Sequence, residues 1–136
     1  MTDSSTTCTD LLVIGGGPAG LSATLTFARL GRPAIMYDSQ TYRNASSRVS
    51  HTIPAFDGGD PVRWREKVLE QMDAYPWVET RDGKIVDLKR LENDKRGTRF
   101  EAVAAGGKKV IARKVVLATG IKDILPAIPG EYDDPQ

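Results

Sequence analysis

The sequence predicts an α/β domain centred on a parallel sheet, and three observations carry that reading. Four apolar residues, Leu11 to Ile14, make a run short enough for a buried strand. Gly15, Gly17 and Gly20 follow at the G-x-G-x-x-G spacing, and Leu21 to Leu30 reads as a helix. After the break at Gly31-Arg32-Pro33, Ala34 to Tyr37 gives a second apolar strand ending on Asp38, 18 residues past Gly20. Strand, glycine turn, helix, strand and acid in that order are the parts of a Rossmann-type βαβ unit.

Each glycine has a physical task. Gly15 allows the tight turn off the strand, Gly17 lets backbone approach a pyrophosphate, and Gly20 lets the helix pack closely on the strand. Free N–H groups and the positive end of the helix dipole then face the phosphates, and Pro18, which has no N–H, suits the first helical turn. Asp38 stands where the fingerprint needs an acid for ribose hydroxyls. A purely structural glycine turn, with Asp38 merely capping a strand end, is the alternative. The order of the parts favours a dinucleotide site.

The chain of 136 residues is expected to form one domain with a real core. Its 19 basic and 18 acidic residues leave a net charge of +1, which argues against a nucleic-acid or membrane footprint. The densest basic cluster (Lys108, Lys109, Arg113, Lys114) is interleaved with Val110 and Ile111 and reads as the solvated side of strands. Residues 1–9 read as a polar, disordered tail without a signal sequence, so a cytoplasmic location is expected. Cys8, the single cysteine, excludes an intramolecular disulfide, a C-x-x-C pair and a cysteine-rich metal site; no metal site is expected.

Beyond Asp38 comes a polar loop from Ser39 to Ser50, then a turn-rich segment, His51 to Gly59. Asp60 can cap a helix with Pro61 in its first position, and Val62, Val68, Leu69 and Met72 give it an apolar face to about Ala74. Trp77 to Thr80 and Lys84 to Leu88 read as strands around the turn at Arg81-Asp82-Gly83. Asn93 to Gly97 reads as a hairpin loop, Thr98 to Val103 as a returning strand, and Gly106-Gly107 as a turn into Lys109 to Ile111. Arg113 to Ala118 is a buried-type strand running into Thr119-Gly120. One βαβ unit, a helix, an antiparallel meander and an apolar strand ending Ala-Thr-Gly are not the continued alternation of a nicotinamide domain.

On these residues the chain resembles the flavin-binding N-terminal part of low-molecular-weight thioredoxin reductases. The likeness rests on Val13 to Gly20, Tyr37-Asp38, Ile53-Pro54 before the Asp60-Pro61 helix, Val115 to Gly120, and Ile128 to Glu131. Tyr42-Arg43-Asn44 with His51 to Pro54 is similar to fungal thioredoxin-reductase-like oxidases, which close dithiols into disulfides in toxin biosynthesis. The resemblance implies a Rossmann-like, three-layer FAD-binding domain with an antiparallel β-meander insertion, incomplete at its C-terminus. It would occupy residues 10–125, with 126–136 starting the linker to an absent NADPH-binding domain.

The resemblance also implies roles. Gly15, Gly16, Gly17, Pro18, Ala19 and Gly20 would cradle the FAD pyrophosphate, and Asp38 would bind the adenosine ribose. Ser39, Gln40, Thr41, Tyr42 and Arg43 would line the adenine and ribose side. His51 would lie near the isoalloxazine or its linker, and Ala118, Thr119 and Gly120 near the flavin phosphates. Backbone of Ile85 or Val86 would meet the adenine, while Trp64, Trp77, Phe56 and Tyr75 read as packing residues. His51 as a plain loop residue and Arg43 as a surface arginine remain alternatives.

No second glycine fingerprint and no cysteine pair follow within these residues. The expected function is flavin-dependent oxidoreduction of thiol or disulfide substrates, with NADPH only if a further domain is supplied. Weak FAD retention and no thioredoxin reduction by this chain alone are expected. A sheet left unfinished would invite a homodimer or a completing partner chain. The alternatives are a non-catalytic FAD or nucleotide-binding module or a degenerate fragment and, less well matched, an NAD-binding domain.

Overall fold

A computed structural model describes residues 6–94 and 97–124. Eight elements follow one another: β1 (Thr6–Ile14), α1 (Pro18–Ala28), β2 (Ala34–Asp38), α2 (Pro61–Met72), β3 (Val78–Asp82), β4 (Ile85–Asp94), β5 (Gly97–Ala104) and β6 (Lys109–Leu117). The strands join in one sheet in the order β3-β2-β1-β6-β5-β4. β3, β2, β1 and β6 run parallel, whereas β5 and β4 add antiparallel to β6.

The molecule has three layers. On one face Leu11, Val13, Ala34 and Met36 of the parallel strands pack against Leu21 of α1 and Met72 of α2. On the other, Leu12, Ile35 and Tyr37 pack against Ala102, Ala104, Val110 and Ala112 of the meander. Consecutive residues of β1 therefore serve opposite cores, and this explains an unbroken apolar run in place of alternation. Small alanines on β5 and β6 bring the meander close to the larger side chains of β1 and β2.

The helices end as their residues dictate. The Val62 amide donates to Asp60 Oδ1 at 2.8 Å, and Pro61 fills the first position of α2. Trp64, Val68 and Met72, at four-residue spacing, form the inward stripe of α2. Val62 and Leu69, expected on that face, lie outside it at 50% and 37% exposure. Trp77 Nε1 donates to the Ala28 carbonyl at 2.7 Å and so satisfies an end of α1.

Four features differ from the sequence expectation. The tail expected over residues 1–9 gives way to strand from Thr6, because Thr6 to Thr9 pair with Lys109 to Ala112; residues 1–5 lie outside the described residues. β3 is no part of the meander: it takes the outer parallel position beside β2, with Ala34 opposite Val78 and Asp38 opposite Asp82. Lys109–Ile111 and Arg113–Ala118, read as separate strands, form one, β6. Its first half pairs with both β5 and β1, and its second half with β1 alone. Helix α1 starts at Pro18, not Leu21. The tip of the β4–β5 hairpin and the segment 126–136 lie outside the described residues.

Candidate functional site

β1, β2 and β6 are parallel, so their carboxyl ends fall at one edge of the sheet. A cleft of about 460 Å³ opens there. Clefts at this edge are the usual ligand sites of open parallel sheets.

The turn after β1 forms the floor. Gly15 adopts φ +113°, and a Cβ there would overlap the Ala118 carbonyl. A Cβ on Gly20 would overlap the Gly15 carbonyl. Those two positions are thus closed to side chains by backbone. At Gly17 an added Cβ would meet nothing within 4 Å, since this glycine faces the cleft. Gly17 is also the N-cap of α1, and no side chain caps that end and no acid sits in its first turn. The amides of Ala19 and Gly20 therefore have no side-chain partner, which makes this a positive, donor-rich end. The Cβ-free approach and uncapped amides fit a pyrophosphate.

Asp38 ends β2 at the side of the cleft. Its Oδ1 accepts from the Gln40 amide at 2.8 Å, and its Oδ2 accepts from the Tyr42 hydroxyl at 2.5 Å. Burial, followed by the hydrogen bond and charge of Asp38, pushes the Tyr42 phenol up to about 12, so it remains a donor at neutral pH. The Arg65 guanidinium stacks on the Tyr42 ring at 3.9 Å from its centroid.

Of the residues singled out from the sequence, Gly15 to Pro18, Asp38, Ser39, Thr41, Tyr42, Arg43 and Ala118 to Gly120 line this one cleft. Ala19, Gly20, Gln40 and His51 do not. Ala19 and Gly20 stand behind the floor in α1, and Gln40 contributes a backbone amide to Asp38. His51 is 70% exposed and lies 3.6 Å from Asp57 in a turn closed by the Ser50–Gly59 bridge. Arg43 pairs with Asp123 at 2.8 Å and ties the loop after β2 to the segment after β6.

Trp64 and Arg65 of α2, with Lys84 and Ile85 beside the meander, also line the cleft. Trp64 is at once a core contact of the helix layer. Arg65 was not singled out by the sequence. Its only signal was its place in the first turns of a helix capped at Asp60. Cys8 lies on β1 toward the end remote from Ile14 and is exposed. Among the described residues no group of three or more His, Cys, Asp or Glu could hold a metal, and no helix is long and apolar enough to cross a membrane.

The sheet, the covering meander and the glycine-floored cleft together define a Rossmann-like FAD-binding domain. A family model for the pyridine nucleotide-disulphide oxidoreductases matches residues 9–136, and the chain belongs to that family. It is 40% identical over 129 residues to thioredoxin reductase tcpT of Claviceps purpurea (strain 20.1), covering 93% of this chain and 39% of that protein. Thioredoxin reductase sirT of Leptosphaeria maculans is 36% identical over 123 residues, or 89% of this chain and 36% of the relative. Among solved structures, HlmI superposes with a TM-score of 0.81 at 35% identity over 96% of this chain and 40% of that one. A putative thioredoxin reductase, TrxB, from Bacillus anthracis gives 0.80 at 34% identity over 89% and 39%. The chain thus spans about two fifths of the length of these relatives.

Proposed function

We propose that this chain binds FAD in the cleft and forms the flavin-holding part of an oxidoreductase of the thioredoxin-reductase type acting on thiol or disulfide substrates. The observation that carries this reading is the cleft floor, where Gly17 leaves room for a ligand beneath an uncapped helix end and Asp38 stands at the side. Similarity to named thioredoxin reductases supports the substrate class.

Each residue has a defined part. The Gly17 turn and the Ala19 and Gly20 amides hold the pyrophosphate. Asp38 accepts from the adenosine ribose, and its negative charge disfavours a 2′-phosphate. Ser39, Thr41, Tyr42 and Arg43 face the adenosine end, and Ala118 to Gly120 the phosphates. Bound FAD would supply two-electron chemistry between nicotinamide and thiols. With Cys8 the single cysteine, the chain offers no cysteine pair of its own. The attacking thiolate comes from a dithiol substrate, a partner chain or sequence outside these residues.

NADPH oxidation, closure of small dithiols, assembly as a homodimer or with a completing chain, and a cytoplasmic location belong to the same proposal. A second reading, a flavin-binding module without its own catalysis, is favoured by the position of Cys8, remote from the cleft. Flavin titration followed by NADPH and dithiol turnover tests both. Binding with turnover supports the first reading and binding without turnover the second, whereas failure to bind flavin contradicts both.

A further inference from the structure

The acid at the side of the cleft is already in use. Asp38 Oδ1 takes the Gln40 amide, a bond that closes the end of β2. Oδ2 packs against Gly16, where an added Cβ would overlap the carboxylate, and Asp38 and Gly16 both line the cleft. The Tyr42 hydroxyl sits there, 2.5 Å away, on a side chain that itself lines the cleft.

We propose that Tyr42 is an internal stand-in for ribose, occupying the carboxylate oxygen that an adenosine diol must reach. This rests on the reading of the cleft as an adenine-dinucleotide site and adds a specificity element to it. A phenol O–H on a carboxylate and a ribose O–H on a carboxylate are the same kind of charge-assisted bond. A ligand with a vicinal diol therefore replaces Tyr42 without stranding the acid. A ligand without one cannot, and leaves Tyr42 in place. Arg65 keeps the displaced ring close, because stacking on its face does not depend on the hydroxyl. The bond to Tyr42 lowers the fraction of molecules with Asp38 open, and apparent affinity falls by that fraction.

The test compares the chain with Y42F, which keeps the ring and its stacking and loses only the hydroxyl. FAD, ADP and 2′,3′-dideoxy-ADP are titrated against each by calorimetry, with far-UV circular dichroism to confirm folding. FAD and ADP should bind Y42F about tenfold more tightly, as expected when a hydrogen bond to a charged group no longer has to be broken. Dideoxy-ADP, which presents no diol, should not distinguish the two proteins. Equal or weaker ADP binding by Y42F, with FAD bound by the parent chain, overturns the stand-in and leaves the cleft reading intact. A gain for dideoxy-ADP equal to that for ADP also overturns it. Binding of FAD and ADP by neither protein overturns both.

Discussion

Gly17 and Gly20 lie three residues apart, and one methyl group would separate their duties. At Gly17, φ is −74° and a Cβ would project into open space, so Gly17→Ala should leave stability within about 0.5 kcal/mol of the parent. It should nonetheless weaken FAD binding about tenfold or more, because the methyl would stand where the pyrophosphate approaches. At Gly20 the same methyl meets the Gly15 carbonyl, and Gly20→Ala should cost about 3 kcal/mol. Urea unfolding and flavin titration of the two variants check the contrast; a Gly17→Ala protein that binds FAD normally would move the phosphate site elsewhere. The close packing at Gly20 was legible because a glycine fingerprint specifies local backbone. The bond from Tyr42 to Asp38 was not, since a tyrosine in a polar loop carries no signal of where its hydroxyl points. The place of His51 near the isoalloxazine or its linker was a family carry-over; its side chain stands exposed beside Asp57, between Ser50 and Ile53, which line the cleft.

The elements read most clearly where a local signal stood at both ends. Asp60-Pro61 marked the start of α2, and Asp60 does cap it. Asp60→Ala should lower stability by about 1 kcal/mol, with the urea midpoint falling and the slope unchanged. Strand placement was less legible. Thr6 to Asp10 is polar, and its strand conformation comes from pairing with Lys109 to Ala112, far along the chain. β3 reads like a meander strand because, as an outer strand, it has no fully buried residue, only half-buried Val78 and Arg81 among exposed ones. Its Arg81 donates to Glu79 at 2.6 Å and reaches the Tyr37 hydroxyl at 3.2 Å, joining the strand to β2. That hydrogen bond, together with the Arg81 charge and against partial burial, lowers the Glu79 carboxyl below its ordinary value. A depressed carboxylate contributes stability above its unfolded pKa and loses it as pH falls through the folded value. Since Glu79 is half exposed, the contribution should be under about 1 kcal/mol. The stability gap between the chain and Glu79→Gln should therefore be small at neutral pH and close in acid; a gap that widened in acid would contradict the pairing.

At the scale of the molecule, the parallel strands are packed on one face by the helices and on the other by side chains of the meander, which continues the same sheet through β6. The three-layer arrangement was implied by the family resemblance, and the sequence pattern marked only the apolar runs that fit strands buried on both faces. It could not show that β6 serves both systems, because pairing on two sides is not written in a strand's own residues. The three parallel strands that end at the cleft deliver Gly15, Asp38 and Ala118 to one place. The central claim is that this place binds flavin. The most direct test is the visible absorption spectrum of the purified chain before and after adding FAD and desalting, beside Asp38→Ala treated in the same way. The chain should keep a perturbed but substoichiometric flavin spectrum after reconstitution, and Asp38→Ala should keep markedly less. A colourless chain after reconstitution, or equal retention by both proteins, would contradict the assignment of the cleft.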